Sequence, residues 1–210
     1  MAIIKKNRYS DITFKNLIKT EENSELIEYL KEYSTDIEQK INNCENVIIT
    51  GSVGVGKTFI SRAFFNETKN LLVDKEIIRW EPNKGMTKEI IKDNILCRYI
   101  TMFDLIQELR KEYKGEQVDE TLFNCDILII DEVGIQFGTD AERQILFKLV
   151  NYRYENYKPI FLISNHPVKS NNEVKGLYFI LGERIMDRIN DSQCKTFTLK
   201  GYSWRGNGKC

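Results

Sequence analysis

The sequence predicts an α/β protein, a three-layer α-β-α sandwich around a central parallel five-stranded sheet with no separate lid domain. Three observations predict it. Five short apolar runs alternate with helical patterns. A glycine-rich loop stands directly between the first of these runs and a helix. The most apolar run ends in two acids, Asp131 and Glu132.

Taken in chain order, residues 1–20 read as a short basic arm and a lead-in segment, with Thr13-Phe14-Lys15-Asn16-Leu17 the first stretch able to dock on a core. From Glu22 to Asn42, Leu26, Leu30, Tyr33, Ile37 and Ile41 recur at steps of three and four, predicting one amphipathic helix. Val47-Ile48-Ile49-Thr50 is a β-branched run suited to a buried parallel strand, and a helix is expected from Lys57 to about Glu67. Residues 68–95 hold apolar patches at Leu71-Leu72-Val73 and Ile77-Ile78 around a turn cluster at Glu81–Gly85, and read as an insertion. A second strand and helix follow at Leu96–Thr101 and through Phe103, Leu105, Ile106 and Leu109. Asp126–Asp131 is the third strand, a helix runs from about Asp140 to Asn156, and Ile160–Ser164 is the fourth strand. A helix around Gly182–Asn190 and a strand at Lys195–Lys200 close the core, which extends over 21–205, leaving 206–210 as a tail.

Bulk properties narrow the function classes. A chain of 210 residues accommodates one domain with a sizeable core. Lys+Arg and Asp+Glu both number 31, so no net field steers the chain to nucleic acid or an anionic membrane, and a DNA contact has to be a local patch. Cys44, Cys97, Cys125, Cys194 and Cys210 include no C-x-x-C pair and the one histidine, His166, cannot complete a zinc set, so reduced thiols in a cytoplasmic protein are expected. The first residues lack a signal-like apolar stretch, and no run of about 18 apolar residues occurs.

Gly51-Ser52-Val53-Gly54-Val55-Gly56-Lys57-Thr58 has Walker A spacing, with a predicted strand before it and a helix after it. Glycines let successive backbone N–H groups curl around phosphates where a β-carbon would obstruct them. Lys57 is expected to meet the β and γ phosphates of ATP, Thr58 to place a hydroxyl on Mg²⁺, and the helix start to add its partial positive charge. Asp131 at a strand's carboxyl end is the expected second Mg²⁺ holder, and Glu132 the residue that orients the attacking water. This pair favours a P-loop NTPase that hydrolyses ATP over a small-molecule kinase. Asn165 ends the following strand. If that strand neighbours the Asp131 strand, its amide faces the γ-phosphate; otherwise it is a turn residue before His166-Pro167.

Leu181-Gly182-Glu183-Arg184-Ile185-Met186-Asp187-Arg188-Ile189 sets Arg184 and Arg188 on one helix face, which by itself is ordinary charge decoration. The segment resembles box VII of the DnaC/DnaI-type replicative helicase loaders and the related IstB-like AAA+ ATPases. Arg8–Asn16, Ile129–Gly134, Tyr152-Arg153-Tyr154, Leu162–Asn165 and Tyr202–Arg205 fall in that family's order, so the resemblance covers about residues 8–205. It implies an AAA+/ASCE core whose nucleotide sits at a subunit boundary. Arg188, with Arg184, would stabilise transition-state charge in trans, and Arg205 would occupy the sensor 2-like position.

The resemblance also implies self-assembly into an ATP-dependent oligomer or helical filament, single-stranded DNA as ligand, and a replicative helicase as partner. Thr139, Arg110 and Lys111 are its implied DNA contacts, with Ala141 where an aromatic ring would stack. The DnaC type carries a separate amino-terminal helicase-binding region, whereas about ten residues precede the lead-in segment here. The helicase contact is therefore expected on another surface such as the Met1–Arg8 arm, or on a separate protein, or else the function has changed; a compact phage or mobile-element version would account for the trimmed chain. An IstB-like transposition helper acting on duplex DNA and a nonhydrolysing ATP-switched adaptor are the alternatives.

Overall fold

The structure, a computed structural model, describes residues 9–82, 84–135, 139–171, 173–191 and 193–201. The arm at Met1–Arg8, Arg205 and the tail 206–210 lie outside the described residues. In chain order the elements are α1 (Glu21–Thr35), α2 (Ile37–Asn42), β1 (Val47–Gly51), α3 (Lys57–Thr68), β2 (Leu72–Glu81), β3 (Gly85–Asn94), β4 (Cys97–Thr101), α4 (Met102–Arg110), α5 (Thr121–Asn124), β5 (Ile127–Val133), α6 (Asp140–Glu155), β6 (Ile160–Ser164), α7 (Leu177–Leu181), α8 (Glu183–Asp191) and β7 (Lys195–Leu199).

Five strands form one parallel sheet in the order β4-β5-β6-β1-β7. The apolar runs of β1, β5 and β6 are continuous because both faces are covered. Ile48, Leu128, Ile130 and Leu162 face a core built with α4, α6, α7 and α8. Val47, Ile49, Ile127, Ile129, Phe161 and Ile163 face a second core built with α1 and α3. This period-2 division of each strand makes the three layers. On the second side Phe64 stacks on Phe161 with centroids 5.0 Å apart, and Tyr33 meets both rings edge-on.

One sequence expectation needs correction. The stretch 22–42 is two helices, broken at Asp36 (φ −103°, ψ 31°), a backbone outside the helical well. The apolar spacing continues across the break because Ile37 still faces the core. The last helix is preceded by a separate short one, α7, which ends at Gly182 (φ 92°). The insertion takes a definite form: β2 and β3 make a ten-residue antiparallel ribbon, paired from Leu72↔Asn94 to Glu81↔Gly85, outside the main sheet.

Candidate nucleotide site

The order of strands places β6 between β1 and β5, so the glycine-rich loop, Asn165 and the Asp131-Glu132 pair emerge side by side at one carboxyl edge. The loop's backbone matches its task. Gly54 and Gly56 adopt φ 86° and 97°, values that L side chains rarely adopt, and α3 starts immediately at Lys57. At Gly51 (φ 142°) a β-carbon would lie 2.3 Å from the Leu199 carbonyl oxygen of β7, so this position is closed to any side chain.

Lys57 is 6% exposed. Its ammonium donates to the carbonyls of Gly51 and Ser52 and to Asn165 Oδ1, each at 2.7 Å. The Asn165 contact ties the loop to the end of β6 across 108 residues of sequence. Ser52 and Val53 are exposed at the loop's crest, Val55 is buried beneath it, and Thr58 is half-buried in the first turn of α3.

Asp131 is 4% exposed, and both its oxygens are held. Oδ1 accepts from the Glu132 backbone N–H at 2.8 Å, and Oδ2 accepts from the Tyr99 hydroxyl at 2.6 Å. Tyr99, on β4, also contacts Ser61 Oγ of α3 at 3.0 Å, and the Arg62 guanidinium lies 3.5 Å from its ring centroid. Burial first, then the neighbouring Asp131 charge, pushes the Tyr99 phenol far above its ordinary pKa, so it remains a donor.

The β5–β6 pairing shifts register between Ile130 and Val133. This bulge returns Val133 to the core face of Leu128 and Ile130 and leaves Glu132 outside the alternation, exposed and at φ 58°. A non-glycine residue at such φ costs on the order of 1 kcal/mol, and strain of this kind concentrates at functional sites. Gly134 (φ 100°) follows, where a β-carbon would meet His166 Cδ2 at 2.6 Å. His166 is itself held through Nδ1, 3.0 Å from the Lys175 carbonyl.

Among the described residues, neither Arg184 nor Arg188 bonds to a side chain of this edge. Arg188 Nε donates to Asn151 Oδ1 at 2.6 Å, its Nη1 donates to the Arg184 carbonyl, and its guanidinium lies 4.4 Å from the Phe147 centroid, all on α6 or its own helix. Arg184 is exposed. The implied DNA contacts are engaged within the chain: Arg110 pairs with Glu142 at 2.9 Å, and Thr139 caps α6 through the Glu142 backbone N–H. Lys111 pairs with Glu108.

Sequence reasoning missed Tyr99, whose place opposite Asp131 exists only once β4 is known to neighbour β5. It also passed over what Arg153 does. This side chain is fully buried on α6, with Nη1 donating to the carbonyls of Leu122, Phe123 and Cys125 at 3.1 Å and Nη2 to that of Pro159 at 2.8 Å. Its appearance in Tyr152-Arg153-Tyr154 between helical apolar positions was the available signal.

A phosphate loop on β1, an acid pair on β5 and an amide on the intervening strand define a P-loop ATP-binding protein of the AAA+ type. A model of the IstB-like ATP binding protein family matches residues 84–210, more than half of the chain, and the chain belongs to that family. The matched segment begins after the phosphate loop, so the loop's assignment stands on its own residues and geometry. The replicative helicase loader DnaC of Escherichia coli (strain K12) is 26% identical over 180 residues, 82% of this chain and 62% of that protein. The chain thus spans about three-fifths of the length of the first curated relatives it matches. The crystal structure of the DnaC helicase loader superposes with a TM-score of 0.69 at 18% identity, covering 93% of this chain and 100% of that one. AMPPCP-bound DnaA from Aquifex aeolicus gives 0.62 at 22% identity, covering 89% and 50%. No helix among the described residues is long and apolar enough to cross a membrane.

Proposed function

We propose that this chain hydrolyses ATP with Mg²⁺ and acts as a helicase-loader-like ATPase on single-stranded DNA, with a replicative helicase as partner. The observation that carries the hydrolytic reading is the 2.7 Å contact of Lys57 Nζ with Asn165 Oδ1, beside Asp131 and the outward-turned Glu132. It aims the phosphate-loop cation and the strand-end amide at one point on the sheet edge. The residues present fit the metal: a buried carboxylate held in one rotamer stands beside the first turn of α3, which carries the Thr58 hydroxyl.

Gly51–Thr58 cradle the triphosphate with backbone N–H groups, and Lys57 exchanges its carbonyl partners for phosphate oxygens. Thr58 and Asp131 would hold Mg²⁺, which when bound would neutralise charge on the triphosphate. Glu132 accepts a proton from the attacking water, which the Asn165 amide orients. Arg188, aided by Arg184, completes the site from the neighbouring subunit. Its contacts within one chain, to Asn151, the Arg184 carbonyl and Phe147 instead of the phosphate loop, support this trans role and the self-assembly it requires. Arg205 is assigned the sensor 2-like role on sequence order alone.

Phosphate release measured with and without single-stranded DNA tests the reading, with Glu132→Gln as control. Equal, slow release by wild type and variant leaves the nonhydrolysing adaptor as the better account. The family match favours a second reading, an IstB-like helper on duplex DNA. Strong ATP-dependent preference for duplex over single strands, without capture of a replicative helicase, selects it.

A further inference from the structure

The β2–β3 ribbon plays no part in the proposed nucleotide site, and nothing among the described residues covers one of its faces. Ten side chains alternate onto that face, from Leu72, Asp74, Glu76, Ile78 and Trp80 on β2 to Met86, Lys88, Ile90, Lys92 and Asn94 on β3, and all ten are exposed. Ile78, Trp80, Met86 and Ile90 form a contiguous patch at the distal half, 62%, 67%, 77% and 72% exposed. At roughly 100–150 Å² for each such side chain the patch reaches about 500 Å², the range that marks interaction sites. The other face is tied to the domain through buried Val73 and through Lys75, which pairs with Asp126 at 3.0 Å.

Two features decide what covers the patch. Acidic and basic residues between 72 and 94 number five each, so counterion release offers no net attraction to DNA. On the open face the signs are segregated by strand, with acids only on β2 (Asp74, Glu76) and bases only on β3 (Lys88, Lys92). Glu76 pairs with Lys88 at 2.7 Å, while neither Asp74 nor Lys92 has an ion-pair partner among the described residues.

We propose that this face is a self-association surface whose occupant is the ribbon of a second copy of this chain, packed face to face with the tips together. A two-fold axis running along the ribbon, between the two faces, lays β2 of each copy over β3 of the other at the same level. The register then sets Asp74 over Lys92 and Trp80 over Met86, twice each. The opposite, tip-to-base arrangement sets Lys92 against Lys88 and is repulsive. The contact is independent of the head-to-tail assembly that the proposed ATPase needs, and it would cross-link such assemblies.

Sedimentation of the full chain without nucleotide, over a rising protein concentration, tests this. Wild type is expected to dimerise, and Asp74→Lys and Lys92→Asp each to weaken association at least tenfold by placing like charges opposite one another. An equimolar mixture of the two variants is expected to restore dimers. The base introduced at position 74 of one ribbon then faces the acid introduced at position 92 of the other, and the unaltered Lys92 and Asp74 of the two copies still pair. Trp80→Ser, at an exposed position, is expected to abolish dimers without changing the melting temperature measured at concentrations where wild type is monomeric. A wild type that stays monomeric, single charge variants that associate like wild type, or a mixture that does not recover would each overturn the proposal.

Discussion

Replacing Arg153 with methionine removes a fully buried cation from between α5, α6 and the start of β6, with little change in side-chain volume. The guanidinium is bonded to the carbonyls of Leu122, Phe123, Cys125 and Pro159, and its Nη1 lies 3.2 Å from the Cys125 sulfur. Two of those carbonyls belong to the last turn of α5 and a third to its cap residue, groups a helix leaves without internal partners. Among the described residues none of its hydrogen-bond partners is a carboxylate; the charge is offset by aligned carbonyl dipoles, and burial lowers the guanidinium pKa. Each orphaned buried carbonyl costs about 1–3 kcal/mol, partly offset because methionine carries no charge to desolvate. A net loss of about 3–5 kcal/mol is expected, a large share of the roughly 5–15 kcal/mol typical of a folded chain.

At this chain length each kcal/mol lowers the melting temperature by about 2–4 °C, so Arg153→Met should melt roughly 10 °C below wild type. Arg153→Lys, with three donors at a single point, should fall between the two. Urea and thermal unfolding followed by circular dichroism measure both variants. A melting temperature of Arg153→Met within about 2 °C of wild type would refute the view that these carbonyls depend on the guanidinium.

Two further outcomes follow from the site. Tyr99→Phe removes the hydroxyl that holds Asp131 Oδ2; a charge-assisted bond of about 1.5 kcal/mol corresponds to a rise of about tenfold in the Mg²⁺ concentration needed for half-maximal hydrolysis. Nucleotide binding measured without Mg²⁺ should be unchanged, and parallel loss of it would mean that the loop itself has moved. Arg188→Ala should keep ATP binding and lose phosphate release, and mixing it with Glu132→Gln protein should restore part of the activity by pairing an intact acid with an intact arginine. No recovery at any mixing ratio would place the whole site within one chain.

Much of the fold could be read from local pattern. Strands β1, β5 and β6 lie where the apolar, β-branched runs predict, because a strand buried on both faces is continuously apolar. The phosphate loop was equally legible, since its glycines answer a backbone requirement set within the loop itself. The ribbon was not. Its apolar residues alternate with paired charges and bury little, so they carry neither a core strand's signature nor a helix's. Asp36 interrupts a helix whose apolar spacing runs on undisturbed, and periodicity responds to which face is buried rather than to whether the backbone is continuous.

By itself the sequence determined the class of chemistry: a glycine loop with Lys57 and Thr58, an acid pair at a strand end and an amide at the next. These are short-range facts, each set by neighbours along the chain. Which of them meet was decided only by tertiary structure. Strand order seats β6 between β1 and β5 and so brings Asn165 to Lys57, and β4 beside β5 and so brings Tyr99 to Asp131. The same packing turns Glu132 out of its strand and buries Arg153 among carbonyls instead of acids. A local pattern records which face of an element is buried, but the partner across a sheet or core depends on how distant segments stack, and no spacing in the chain encodes that.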